Sequence, residues 1–269
     1  MSKGKIFMSN RHIELPFSSD NQLQDMKILS CAFRKINYWD YPDSRFRYWC
    51  FYWNATPGAW INSCGKKIEL TPDKVLLIPP FTPFISGMDH PFNHFYIHFY
   101  SPGVLDRIRR TPIILKADNA SVLIPRAMKK QGIPQMLEIY GILFSYLSKI
   151  PPQYCLSDTE ETIDPRIRKV VNLMYEHIDV PVDNRRFCRL AGLGINEFYE
   201  LFKKEMHRTP RQYLVMLRME HASVLLRHSL SSIEEIAENC GYADRYHFSK
   251  AFRAYFGLPP AEFRRRHEQ

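Results

Sequence analysis

Residues 187–213 read FCRLAGLGINEFYELFKKEMHRTPRQY, and residues 236–263 read IAENCGYADRYHFSKAFRAYFGLPPAEF. The second stretch repeats the first. Cys188, Gly192 and Leu193 recur 49 positions later as Ala237, Gly241 and Tyr242. Phe198, Phe202, Pro210 and Tyr213 recur 50 positions later as Phe248, Phe252, Pro260 and Phe263. The offset changes once, between Leu193 and Phe198, where a turn tolerates an insertion best. Each unit reads as helix, tight turn, helix. A duplicated unit of this kind suits contact with two stretches of DNA groove by one polypeptide.

The surrounding signals place the helices. Ile167, Val170, Val171 and Met174 mark a helix ending near His177. Asp183 is an N-cap for the first scaffold helix, and Gly192 stops it. A second helix follows over about Ile195–Lys204. Thr209-Pro210 opens a long connecting helix through Tyr213, Leu217, Ala222, Leu225 and Leu226. Ser231 with Glu234 reads as a capping box for the next helix. Gly241 turns the chain, Asp244 caps the following helix and Gly257 ends it. Pro259-Pro260 begins a last short helix running into Arg264–Arg266.

Ahead of this lies a different pattern. Residues from about 25 to 100 are rich in aromatic and β-branched residues broken by turn signals, which predicts strands. Phe46–Trp53, Trp60–Ser63, Lys67–Leu70, Val75–Ile78 and Asn93–Tyr100 are the clearest. Short, closely spaced strands argue for a small barrel or sandwich. Met136, Tyr140, Leu143, Phe144 and Leu147 then form an amphipathic helical face within Pro134–Ile150. That helix could cover the barrel or pair with its twin in a homodimer. The expected organisation is a domain over 1–150, a polar linker over 151–163 and a helical domain over 164–269.

Composition bounds the partners. The 269 residues carry a net charge of +9, which weakly favours an anionic partner. From Asp164 onward there are 18 Lys and Arg against 14 Asp and Glu, so the excess is not concentrated in the helical part. The six cysteines form no CxxC pair and read as reduced thiols of a cytoplasmic protein. The opening MSKGKIFMSN has no apolar core, so no signal peptide is expected. No apolar run suggests a membrane span.

The stretches Ile233–Ala237, Gly241-Tyr242, Tyr246–Phe252 and Phe256–Arg264 resemble the signature of AraC/XylS-family transcription regulators. The resemblance implies two helix-turn-helix subdomains joined by the long helix, each placing its second helix in the major groove. By position in that motif, the DNA readers are Asn196, Tyr199 and Glu200 in the first unit. In the second they are Arg245, Tyr246, Ser249 and Lys250. Such residues could pair Arg245 with guanine, Asn196 with adenine and Glu200 with cytosine. The sequence departs from the family at Gly194 and Glu200, where many relatives carry a Ser or Thr cap and a basic residue.

Tyr48–Pro102 resembles, more loosely, the cupin-like sensor barrel of the same family, which implies a small effector, often a sugar, held inside. The fold class expected is therefore α+β. On Asn93–Tyr100, alternation puts His94, Tyr96, His98 and Tyr100 on one face and Phe95, Ile97 and Phe99 on the other. His94 and Tyr96 match family positions that line the pocket. Tyr52, Asn54 and Trp60 are further candidates, with Asn54 where some relatives carry an effector-binding Arg.

His90, His94 and His98 recur every four residues, but on a strand they do not converge, so no metal or other cofactor is expected. The reading is a ligand-responsive, DNA-binding regulator without enzymatic activity, contacting RNA polymerase if it activates. The alternative is a cupin-type enzyme with an appended DNA-binding module. A DNA-repair methyltransferase would need an N-terminal zinc-cysteine cluster, which the scattered cysteines do not supply.

Overall fold

The computed structural model describes residues 26–101, 104–156, 163–180 and 183–267. The opening stretch singled out for its lack of an apolar core lies outside the described residues. Residues 157–162 of the expected linker do as well.

Two antiparallel sheets form the N-terminal part. One has five strands in the order β1 (Lys27–Ile36), β8 (Phe92–Tyr100), β3 (Trp49–Asn54), β6 (Lys74–Ile78) and β9 (Ile113–Lys116). The other runs β2 (Tyr41–Ser44), β7 (Phe84–Met88), β4 (Ala59–Ser63) and β5 (Lys66–Leu70). Alternation assigns side chains to layers. Cys50, Tyr52 and Tyr96 join the inner cluster between the sheets with Ile61, Leu70 and Leu76. Phe51, Trp53, Phe95, Ile97 and Phe99 point the other way. There they meet α1 (Ala120–Met128) and α2 (Gly132–Leu147) through Ile124, Ile139, Leu143 and Tyr146. Both faces of β3 are thus covered, and all six of its residues are buried. The start of the expected linker is tied to this layer. Pro152–Tyr154 forms a 3-10 turn, and Cys155 makes a β-bridge with Ile108.

Seven helices follow: α3 (Pro165–Glu176), α4 (Asn184–Ala191), α5 (Ile195–Met206), α6 (Pro210–His228), α7 (Ile233–Asn239), α8 (Arg245–Phe256) and α9 (Pro260–His267). The caps follow the sequence closely. Asp183 accepts from the Arg185 and Arg186 amides, and Asp244 accepts from the His247 amide. Thr209 and Gln212 form a reciprocal capping box at α6. The box at α7 is made by Ser232 and Glu235, one residue beyond the expected Ser231 and Glu234. Glu234 instead faces out and pairs with Arg245.

α6 joins the two units. Tyr213, Leu214, Met216 and Leu217 complete the first core with Phe198 and Phe202. Met219, Ala222 and Leu226 complete the second with Phe248, Phe252 and Phe263. Arg218 fastens the junction. Its Nε donates to Ile178 O at 2.8 Å, its Nη2 donates to Val180 O at 3.0 Å, and its guanidinium lies over the Tyr242 ring.

The two turn glycines are matched in conformation and not in surroundings. Gly192 has φ 66° with nothing within 4 Å of an added Cβ. Gly241 has φ 71°, and a Cβ there would sit 2.4 Å from both Arg218 Nη2 and Asp179 O. Gly192→Ala is expected to cost about 1–2 kcal/mol of strain. Gly241→Ala adds a clash with backbone and is expected to cost about 2–4 kcal/mol. Equal shifts for the two variants in denaturant titrations would show that the Arg218 junction yields freely.

Candidate functional site

A cavity lies between the two sheets, and α6 closes it. Its barrel walls include Arg34, Trp39, Tyr41, Tyr52, His94, Tyr96 and His98. Its helical wall is Glu220, Ser223, Val224 and Arg227, spaced three and four apart on one face of α6. The cavity measures about 70 Å³. That accommodates a handful of waters and is smaller than the few hundred Å³ (roughly 300 and up) of most small-molecule pockets.

The two histidines are neutral. His94 Nδ1 lies 2.7 Å from Asn54 Oδ1, while Asn54 Nδ2 donates to Leu70 O at 3.5 Å. The amide oxygen therefore accepts, and Nδ1 carries the proton. His94 Nε2 is buried with no hydrogen-bond partner. His98 lies between Ser30 Oγ at 3.2 Å and Tyr52 OH at 3.3 Å. Burial, followed by the neighbouring His98 ring and the charges of Arg34 and Arg227, holds His94 well below the usual histidine range. Burial, with the same two arginines, pushes His98 down to about 3.

The charged groups are less well satisfied. Arg34 lies over the Tyr96 ring, and its Nε and Nη2 are buried without hydrogen-bond partners. Burial and the nearby Arg227 lower its pKa. Arg227 donates from Nε to Ser223 O at 2.9 Å and from Nη2 to Ser223 Oγ at 3.4 Å. Glu220 Oε1 is buried and unpartnered. Burial pushes this carboxyl up to about 8, against the Arg208 charge and a hydrogen bond from the Arg45 backbone. Two guanidiniums and a carboxyl that resists ionisation leave the enclosure positive.

Of the expected effector residues, Tyr52, His94 and Tyr96 lie together in the wall. Asn54 sits behind His94 and fixes its ring. Trp60 is elsewhere. Its neighbours Ala59 and Ile61 are the buried, inward residues of β4, so Trp60 points outward. Its ring covers Gly87 and lies under the Lys67 ammonium, 5.1 Å from the ring centroid. Sequence reasoning missed Arg34 and the α6 stripe. The helical spacing of Glu220, Ser223, Val224 and Arg227 is a signal that could have found the stripe. Nothing in β1 distinguishes Arg34 from its neighbours. Among the described residues, no group of three or more His, Cys, Asp or Glu could hold a metal ion. The six cysteines are unpaired. No helix among the described residues is long and apolar enough to cross a membrane.

The second surface is made by α5 and α8. Their inner faces carry Phe198, Phe202 and Met206, and Phe248, Phe252 and Phe256. Asn196, Glu200, Arg245, Tyr246 and Lys250 are exposed on the outer faces, Tyr246 to 73%. Tyr199 and Ser249 are half-buried at equivalent positions. Arg245 Nη1 lies 2.8 Å from Glu234 Oε1 in a pair whose side chains are both more than half exposed. Exposed pairs of this kind contribute less than about 1 kcal/mol, so little holds Arg245 back from another acceptor.

A helix-turn-helix domain model matches residues 187–266. The transcriptional regulator GbdR of Pseudomonas aeruginosa is 34% identical over 103 residues, 38% of this chain and 28% of that protein. The transcriptional activator RhaS of Escherichia fergusonii is 33% identical over 123 residues, 46% of this chain and 44% of that protein. The chain thus spans less than half the length of these relatives. The fold as a whole matches ToxT of Vibrio cholerae in its complex with an unsaturated fatty acid. The TM-score is 0.69 at 13% identity, over 89% of this chain and 95% of that one. Residues 187–266 thus carry a helix-turn-helix domain similar to those of these transcription regulators, and the fold ahead of it is similar to that of ToxT.

Proposed function

We propose that the chain is a cytoplasmic, sequence-specific DNA-binding transcription regulator, with a small effector held in the cavity between barrel and α6. Residues 1–150 form the sensing part, 151–163 the connection and 164–269 the DNA-binding part. The observation that carries the reading is the doubled exposed face of α5 and α8. The named relatives are transcription regulators, which supports a binding role over a catalytic one. Asn196, Tyr199 and Glu200 would meet one groove segment, and Arg245, Tyr246, Ser249 and Lys250 the next. If the chain activates, RNA polymerase is its further partner.

The cavity favours an effector with an apolar body and an anionic end. Trp39, Tyr41 and Tyr52 offer rings, while Arg34 offers two buried donors with nothing to bond. The ToxT complex contains a fatty acid, a ligand of that chemical type. A sugar is the second reading, supported by the His and Tyr polar atoms beside the same rings. A homodimer through α2 is supported by Ile133, Met136, Leu137 and Phe144, all exposed on its outer side.

Three measurements test these statements. Sites for the full-length protein are first selected from a random DNA pool. Arg245→Ala is then expected to cost about 1–3 kcal/mol and relax preference at one base pair. Uniform weakening on all sequences would make Arg245 a phosphate contact. For the effector, calorimetry against long-chain carboxylates and a sugar panel is expected to detect the carboxylates. Arg34→Gln and Arg227→Gln should each weaken them at least tenfold, and a sugar binding equally well to all three proteins would favour the second reading.

The pH test uses Glu220. Its folded carboxyl titrates near 8, above the ordinary value of 4.5, so the folded state holds this proton more tightly. The associated stability is full below the ordinary value and is lost as pH rises toward 8. The histidines act in the opposite sense below their ordinary 6.5 and are common to both proteins. The melting temperature of Glu220→Gln relative to the parent is therefore expected to rise from pH 5 to pH 8. A flat difference would place Glu220 in water.

A further inference from the structure

Both recognition helices end on the same support. The last residue of α5 is Met206, and the last residue of α8 is Phe256, 50 positions on. These are equivalent positions of the repeat. Each is followed by a residue in the left-handed region, His207 at φ 54° and Gly257 at φ 73°, so the two helix ends share a cap geometry. The last four carbonyls of any α-helix lack partners within the helix and take them from elsewhere. Here both final carbonyls take them from the barrel. Arg45 Nη1 donates to Met206 O at 3.3 Å, and Tyr38 OH donates to Phe256 O at 3.0 Å.

The two donors flank one strand, β2. Further contacts reinforce each grip. On the first unit, Arg110 reaches Glu205 Oε2 at 3.4 Å, and Phe81 packs against the core. On the second, Tyr41 meets the Phe256 ring and Tyr38 meets the Phe263 ring, each edge to face with centroids 5.6 Å apart. β2 is also an edge strand, paired with β7 alone and with a register shift between Tyr41 and Ser44. Trp39, Tyr41 and Ser44 line the cavity from the same segment.

α6 already joins the two units along one line. A second connection between their recognition helices fixes the angle between them. We propose that Tyr38 and Arg45 are positioning residues for DNA recognition, holding the two recognition helices at a set mutual angle through the matching last carbonyl of each. The inference rests on the reading of α5 and α8 as paired DNA readers. It makes β2 the element through which the cavity wall and the reader geometry are linked.

The test measures that geometry directly in the full chain, with neither DNA nor effector. Spin-labelled noncanonical residues replace Lys203 and Arg253, which are exposed and equivalent on α5 and α8. Pulsed dipolar spectroscopy then reads the distance between them. Tyr38→Phe removes only the hydroxyl and keeps the ring on Phe263. Arg45→Gln removes the charged donor, and Arg45→Lys keeps a cation near Met206 O. The narrow distribution of the parent is expected to broaden in Tyr38→Phe and Arg45→Gln, to broaden most in the double variant and to stay narrow in Arg45→Lys. Melting temperatures within a few degrees of the parent exclude general unfolding. An unchanged distribution in the folded double variant would overturn the proposal.

A second readout uses duplexes carrying the two selected half-sites with spacers altered one base pair at a time. A loosened support is expected to flatten the spacing preference while leaving affinity for a single half-site unchanged. Equal loss of affinity at every spacing would count against it. A parent chain that binds no selected DNA would defeat the regulator reading, and the distance measurement would still decide whether the support exists.

Discussion

The structure depends on the burial of α6 on three sides at once. Its early turns complete the core of the first unit through Tyr213 and Leu217. Its later turns complete the second through Met219, Ala222 and Leu226. The stripe from Glu220 to Arg227 closes the barrel cavity. A helix apolar on one face could slide against its neighbour with little consequence. A helix shared by three packed environments cannot, because interiors packed to crystal-like density have few intermediate arrangements. The inner cluster of the barrel and the core of the second unit are accordingly continuous.

The electrostatics of the cavity follow from that closure. Exposed, Arg34 and Glu220 would be solvated and unremarkable. At the seam between α6 and the barrel they lose water without acquiring full sets of partners. Groups of this kind are costly to bury, and the cost is relieved by protonation in the case of the acid. For a guanidinium only a new acceptor relieves it, since it does not give up its proton. The histidines contribute no charge to this balance, because burial and the two arginines keep both rings neutral.

What was legible in the sequence was local. Asp183, Thr209 with Pro210, and Asp244 cap helices because a side-chain oxygen needs only an amide two or three residues away. The alternation along β8 separated His94, Tyr96 and His98 from Phe95, Ile97 and Phe99 for the same reason. Adjacent serines made the α7 cap ambiguous, and Ser232 prevailed over Ser231. β9 and α1 were not anticipated. β9 is a four-residue strand, and α1 contains Pro125, a residue that argues against a helix interior. The wall supplied by α6 was hidden because it depends on how two distant parts of the chain meet. Trp60 was misjudged as a candidate because an aromatic on a strand looks the same from either face until its partner strand is known. Here Gly87 on β7 leaves room for the indole on the outer side.

The size of the cavity bears on how the proposed sensing and reading connect. An effector larger than a few waters cannot enter about 70 Å³ without moving a wall. The five-stranded sheet is backed by α1 and α2, so its wall is the stiff one. The opposite walls are α6, packed into both helix-turn-helix units, and the short edge strand β2, which meets the second unit through Tyr41 and is followed by Arg45, bonded to the first at Met206 O. On the proposed function, occupancy of the cavity would act on the segments that set the reader geometry, without a separate relay. An effector shifts that geometry only to the extent that it binds one arrangement more tightly than the other. Moving the balance from mostly one to mostly the other takes a preference on the order of 10⁴. Desolvated guanidinium groups on opposite walls, Arg34 on the barrel and Arg227 on α6, are a direct source of such a preference. A ligand that met both would lose one of them if the walls parted.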